Sequence, residues 1–364
     1  MKSRNLSRRK FIGSATVAVL GTTFFGFKNL STKSRSVKPL KEIVSIVRIK
    51  NGNIAGAVEE AIDLLGGMSF LTKGKERILL KPNLVAPDVR CTTKPEVVRT
   101  VAQLMKKAGK SVMIGEGSAA AGNFNVIGDE TFRTRKAEIL DGMQKYVFDS
   151  LGYTQMAESL NIPLVNLHSG NIVEVPLSNG FAAKSVKIHK ALVDSDLVCS
   201  IPIMKTHTLA TVTLAMKNLI GLYPGTEYYS VRSWLHDRAA EKGSQGVAFE
   251  VVDMNNAVKT GLSIIDASTA MEGDGPFNGT LVDMGLIIAG TSPLAADMVG
   301  TALMGFEFAE IPVFALAHNY GMSPQSLDDI EIRGLTIEQT KRQFRKPNVT
   351  KWTDINKFWG VKEL

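Results

Sequence analysis

The stretch Asp196-Leu197-Val198-Cys199-Ser200-Ile201-Pro202-Ile203-Met204-Lys205-Thr206-His207-Thr208 makes the plainest structural statement in this 364-residue chain. Strands buried on both faces read as near-continuous apolar runs rather than alternating ones. The run from Asp196 to Met204 is of that kind, and it predicts the central strand of a parallel sheet. Then the chemistry changes at once. Lys205 and His207 leave the strand, Thr208 suits a helix N-cap, and Leu209, Val212, Met216, Leu219 and Ile220 recur at helical spacing. A helix is expected over Leu209–Ile220, with Gly221 as its C-terminal stop and Pro224-Gly225 beyond.

Working outward, Ile43–Ile49 and Arg77–Lys81 read as strands, with an amphipathic helix over Ile54–Leu65 between them. Pro82-Asn83 stops the second strand, and Lys94-Pro95-Glu96 opens a helix whose apolar face is Val97, Val98, Val101, Leu104 and Met105. Ser111–Gly115 is a third strand. Strands alternating with helices in this way imply parallel pairing through crossover helices. Ala119–Thr134, rich in Gly and Asn, reads as a long loop. Helices follow at Ala137–Ser150 and Tyr153–Asn161, and short strands at Pro163–Asn166, Ile172–Pro176 and Ser185–Ile188. Further on are a helix at Val247–Thr260, strands at Leu262–Ala267 and Met284–Ala289, helices at Ser292–Met304 and Ile311–Asn319, and a strand at Asp329–Arg333. The expected fold is α/β: a mostly parallel central sheet flanked by helices, with a loop-rich cap. It is expected as a single domain over residues 42–335, with residues 336–364 as a tail packed on the surface.

Residues 1–41 read as a twin-arginine export leader and polar spacer. Arg8-Arg9 stand directly before the apolar stretch Phe11–Phe27, which is shorter than the roughly 20 apolar residues a spanning helix needs. The leader predicts a periplasmic or extracytoplasmic protein, exported folded through the twin-arginine translocation machinery, with no spanning helix unless the leader is kept as an anchor. It also holds ten of the 43 basic residues and no acid, leaving 33 basic against 35 acidic residues in the body. A nucleic-acid surface requires basic excess on the folded part, so nucleic acid is rejected as a partner. Cys91 and Cys199 are the only cysteines, too few to ligate an iron–sulfur cluster. Cys199, inside an apolar run, is expected to be buried and inert.

Ligands of open α/β sheets collect at the carboxyl ends of strands, and five clusters sit there. Lys81-Pro82-Asn83 follows the second strand; its lysine suits a phosphate or carboxylate, or equally a snorkelling surface role. Gly115-Glu116-Gly117 follows the third, with Glu116 a base or a metal ligand. Lys205, His207 and Thr208 follow the central strand and suggest an anion site or an acid/base pair, although a neutral His207 also suits a metal. Lys217-Asn218 lies at the end of the expected helix, where the helix dipole alone would favour a lysine. The fifth cluster is acidic: Asp266, then Glu272-Gly273-Asp274-Gly275-Pro276 as a tight loop whose carboxylates suit a hard divalent cation, or ordinary turn chemistry. Asp297 joins it, in a helix capped by Ser292 among apolar neighbours, where a shielded carboxylate needs a metal, Lys205 or Lys217 as partner.

These clusters, in this order, resemble the family called domain of unknown function 362. The resemblance rests on Lys81-Pro82-Asn83, on Lys205 and His207 with Lys217-Asn218 and Gly221, on Asp266 with Glu272-Gly273-Asp274-Gly275-Pro276, and on Pro293 with Asp297. It covers roughly Ile43 to Ile332. Some relatives carry an appended ferredoxin-like cluster domain, which this chain lacks the cysteines to hold. The resemblance implies that Lys217 and Asn218 belong to the site, against the helix-dipole reading.

The expected function is an enzyme of unassigned reaction acting on an anionic small molecule. His207, Lys205 and Lys217 are the catalytic candidates, and Lys81, Asn83, Asn218 and Thr208 the anion-binding ones. Asp266, Glu272, Asp274, Asp297 and Glu116 are candidate ligands of a divalent cation. The alternatives are a non-catalytic periplasmic protein that binds a ligand or cofactor, and an accessory protein for redox enzyme assembly.

Overall fold

The computed structural model describes residues 41–232, 235, 247–348 and 363–364. The expected leader lies outside the described residues, apart from Lys41. From Lys41 onward the chain forms one compact unit.

Its frame is a ten-stranded sheet. In chain order the strands are β1 Glu42–Arg48, β2 Arg77–Pro82, β3 Ser111–Glu116, β4 Leu164–Asn166, β5 Leu197–Ile201, β6 Ile203–His207, β7 Thr211–Thr213, β8 Thr260–Asp274, β9 Asn278–Gly290 and β10 Ile330–Gly334. The spatial order is β10-β1-β9-β8-β5-β2-β3-β4, with β6 paired to β7 and β8. Parallel pairs predominate, so the α/β class and mostly parallel sheet expected from the sequence are correct. The antiparallel exceptions are β1 with β9, β6 with β7, and the hairpin β8–β9.

β5 is the buried central strand, between β2 and β8. It ends sooner than expected because Pro202 has no N–H to give a ladder. The chain restarts as β6, so one predicted strand is two. β8 and β9 are much longer than the predicted segments. Glu272 to Asp274, expected in a tight loop, pair with Asn278–Thr280 across the hairpin, and the strand runs on unbroken from Ala267; cross-strand pairing overrides local propensity. Glu272 and Asp274 therefore lie at a strand end, not in an acidic loop.

The helix predicted over Leu209–Ile220 is corrected most. Thr211-Val212-Thr213 is β-branched throughout, poor in helices and good in strands, and it forms β7 antiparallel to β6. Thr211 turns the chain with a φ of 64°. Only Ala215–Asn218 is α-helical, continued by a 3₁₀ turn over Leu219–Leu222. Thr208 caps nothing; its N–H donates to the Gly275 carbonyl at 3.0 Å.

Apolar side chains pack on both faces of the sheet. On one face, helices α1 Ile54–Leu64, α2 Pro95–Lys107 and α3 Ala137–Ser150 cover Ile78, Leu80, Cys199 and Ile201. On the other, α4 Ala215–Asn218, α5 Ala248–Ala257, α6 Pro293–Leu303 and α7 Pro312–Tyr320 cover Leu79 and Val198. Strand side chains alternate in direction, so Lys81 shares the α4 face with Leu79. Ser292 caps α6, accepting from the Ala295 N–H at 3.2 Å, with Pro293 at its first position. Cys91 and Cys199 are buried free thiols, and burial pushes Cys199 far above the ordinary thiol range. Within the tail, Phe344 is buried in the core, and its N–H donates to Met304. Among the described residues no helix is long and apolar enough to cross a membrane.

Candidate functional site

The carboxyl ends of β2, β3 and β6 converge with the α4 turn on a solvent-open cleft holding about 600 Å³ of space outside protein atoms. Its floor is a buried ion pair. Lys81 Nζ lies 2.7 Å from Glu116 Oε1, and it also donates to Pro82 O at 2.7 Å and Asn218 Oδ1 at 3.2 Å. Burial pulls the Lys81 ammonium below its ordinary range, and Glu116 pulls it back. Glu116 accepts further from the backbone N–H groups of Leu84 and Gly117, each at 2.8 Å. Asn218 closes the network by donating to the Lys81 carbonyl at 2.9 Å and to Ser200 Oγ at 3.1 Å. Asn83 adds a 3.2 Å bond to Asn218 Oδ1.

The glycines of this region are there for close approach. A Cβ on Gly221 would sit 2.5 Å from Glu116 Oε1 and 2.8 Å from Lys81 Nζ. One on Gly117 would sit 2.6 Å from Arg232 Nη2 and 2.8 Å from the Gly221 carbonyl.

Above the floor stand three more cations. Lys205, buried, donates to the Cys91 carbonyl at 2.7 Å, and burial lowers its ammonium to about 8. Arg232 is also buried. Its Nη1 donates to Ser230 O at 2.6 Å and Ser118 O at 3.2 Å, and its Nη2 to Gly221 O at 3.0 Å and to Gly117 O. Burial brings it down to about 10, partly offset by Glu116. Lys217 is half-buried on the cleft wall, and neither a hydrogen bond nor an ion pair ties its ammonium to the described residues. Burial first, then the charges of Lys205, Arg232 and Lys81, lower it to about 7.

His207 lines the same cleft, and its Nδ1 accepts from the Leu209 N–H at 3.0 Å. A ring nitrogen that accepts carries no hydrogen, so Nε2 carries it in the neutral ring. That bond commits Nδ1 as an acceptor in the neutral ring.

The structure thus brings together Lys81, Asn83, Glu116, Lys205, His207, Lys217 and Asn218 around one opening. It separates the acidic residues expected to share a cation. Asp297 receives the Ala215 and Met216 N–H groups at 2.6 and 2.9 Å, so it caps α4; burial pushes its carboxyl up to about 8 against those donors. Asp266 receives the Lys94 N–H at 3.0 Å and both the N–H and hydroxyl of Ser268. Glu272 receives the Arg345 N–H, and Asp274 the Asn348 N–H and side-chain amide, so both hold the tail. Glu116 is committed to Lys81. Among the described residues no three His, Cys, Asp or Glu side chains are grouped to hold a metal. The reading of these carboxylates as joint ligands of one cation is corrected accordingly.

Arg232 is the site residue that sequence reasoning missed. It stands in an irregular segment after Pro224-Gly225 with no motif around it. Its φ of 54° is a left-handed conformation rare for a residue with a side chain. Thr213 was likewise placed by the strand β7, directly opposite Lys205. Among the described residues, three buried polar atoms around the cleft have no hydrogen-bond partner: Asn83 Oδ1, Thr213 Oγ1 and Arg232 Nε.

The chain belongs to the family described as Domain of unknown function (DUF362), which matches residues 78–302. A thylakoid-associated protein of Synechocystis is 29% identical over 291 residues, covering 78% of this chain and 81% of the relative. Among solved structures, the lactate racemase apoprotein from Thermoanaerobacterium thermosaccharolyticum aligns at 13% identity with a TM-score of 0.41. That alignment covers 71% of this chain and spans 56% of the racemase chain.

Proposed function

We propose that this family member is an enzyme that binds an anionic small molecule in the cleft and transfers a proton to or from it. The observation that carries the reading is the charge count: among the described residues, Lys81, Lys205, Lys217 and Arg232 line one cleft with a single carboxylate, Glu116. Buried charge is costly unless paired, and Glu116 is already matched to Lys81. Among the described residues the remaining cations have no carboxylate of their own, and a bound anion would supply the negative partner. The unpartnered Arg232 Nε and Thr213 Oγ1, both on nearly fully buried residues, offer that partner a donor each.

The roles divide by what each group is free to do. Lys205 and Arg232 supply fixed positive charge to a carboxylate or phosphate. His207 lines the cleft beside them. Lys217, at about 7, exchanges a proton near neutral pH, where general acid–base groups work best. Of the catalytic candidates His207, Lys205 and Lys217, this reading gives proton transfer to Lys217. No divalent cation enters the reading. Export through the twin-arginine machinery rests on the sequence of residues 1–41 alone.

The test uses the purified protein with acetate, oxalate, pyruvate and inorganic phosphate. Urea denaturation at pH 6 should show stabilisation by at least one, approaching about 2.7 kcal/mol at a hundred times Kd. Substitution of Lys205 by Met should weaken that stabilisation. Proton NMR in D₂O should show exchange of substrate C–H hydrogens with pyruvate. Stabilisation without exchange would leave a non-catalytic binding protein; neither response would sink the anion site altogether.

A further inference from the structure

We propose that Lys217 is a covalent nucleophile, and that the anion this cleft takes is a small oxo acid, held as an imine on Lys217 Nζ. This rests on the anion reading above and adds the carbonyl.

Availability singles out Lys217 among the cleft cations. Lys81 Nζ is saturated by Pro82, Glu116 and Asn218. Lys205 Nζ is anchored on the Cys91 carbonyl, and the Arg232 guanidinium on carbonyls of four residues. Each of these groups is placed to hold charge, and none to attack. Lys217 alone among them reaches the cleft without a hydrogen-bond or ion-pair partner among the described residues. It is also held in place from behind, since the Asp297 carboxylate grips the first two amides of α4. Desolvation and neighbouring cations both make a lysine more nucleophilic by favouring its free amine, and both act here. About half of Lys217 is then the free amine at pH 7, against a fraction on the order of one in a thousand for a lysine at its ordinary value.

The other cleft groups suit the rest of the substrate. Lys205 and Arg232 suit its carboxylate. The Nζ lone pair forms the C–N bond while the carbonyl π pair moves to oxygen, which takes a proton. The resulting carbinolamine loses its hydroxyl as water after a second protonation, and nitrogen gives up one of its own hydrogens. The balance is amine, carbonyl and one proton in, protonated imine and one water out. Nothing is oxidised or reduced until a hydride reagent is added.

The experiment traps the imine. The purified protein is incubated at pH 7 with pyruvate or glyoxylate and sodium cyanoborohydride, then digested and mapped by mass spectrometry. A reduced N-carboxyethyl or N-carboxymethyl group is expected on Lys217, forming on the order of a hundredfold faster than on surface lysines. It should be absent in Lys217→Arg, whose fold is checked by urea denaturation, and lost from the wild type in 6 M-range urea or competed away by oxalate in the native state. Labelling spread over many lysines, or found on Lys205 or Lys81 instead, overturns the proposal. Stabilisation by pyruvate with no adduct on Lys217 overturns the imine while leaving the anion site standing. No stabilisation and no adduct overturns both.

Discussion

Replacing Lys217 by Met should make the protein more stable, and by an amount that depends on pH in a stated direction. The fold lowers the Lys217 ammonium from 10.5 to about 7 through burial and the charges of Lys205, Arg232 and Lys81. At about 1.4 kcal/mol for each tenfold change in acidity, holding the charged form in the fold costs on the order of 5 kcal/mol. The side chain is only half-buried, and water in the cleft screens it. Roughly 2 kcal/mol is the figure to expect. The sign follows from proton counting. Below pH 7 both folded and unfolded chains carry the proton and the full penalty applies. Between pH 7 and 10.5 the unfolded chain binds more protons, so wild-type stability rises with pH and the penalty fades. Met removes the charge and keeps most of the stem's volume. Urea denaturation should therefore find Lys217→Met more stable by about 2 kcal/mol at pH 6, with the gap shrinking by roughly half at pH 9. An equal difference at both values, or a destabilised variant, would refute the claim that this lysine is an uncompensated cation.

Glu116→Gln leaves Lys81 buried without its counter-charge and should cost about 3 kcal/mol, read by urea denaturation. Gly221→Ala forces a methyl to within 2.5 Å of the Glu116 carboxylate, so it should abolish anion-dependent stabilisation in a thermal melt while lowering stability by about 2 kcal/mol. Asp297→Ala strips the Ala215 and Met216 amides of their acceptor and should cost about 2 kcal/mol. If Asp297 is the α4 cap and not a metal ligand, that variant should carry the same bound metal as the wild type in elemental analysis.

Much of the fold was legible because local pattern and tertiary role agree there. Leu197–Ile201 reads as a doubly buried strand and is one. Val97, Val98, Val101 and Met105 read as a helix face and pack against the sheet. Reading failed where pairing decided the outcome. Leu209 to Ile220 has helical spacing, but the antiparallel match of Thr211–Thr213 with Lys205–His207 makes a hairpin of its first half. Glu272 to Pro276 has turn composition, but pairing with Asn278–Thr280 of β9 holds Glu272–Asp274 extended. Periodicity records what one segment can bury by itself, and it contains nothing about which partner strand arrives.

The site divides the same way. By itself the sequence determined that Lys81, Asn83, Glu116, Lys205 and His207 follow strands and so gather at one end of the sheet, and the family resemblance added Lys217 and Asn218. Only the tertiary structure decided their states. It paired Glu116 with Lys81, turned Asp297 into a helix cap, sent Glu272 and Asp274 to the tail, and brought Arg232 in from a segment without any motif. The physical reason is that a side chain's charge and reactivity depend on how far water is excluded and on which charges and donors stand within a few ångströms. Those neighbours come from distant parts of the chain, and the order of residues along it does not contain them.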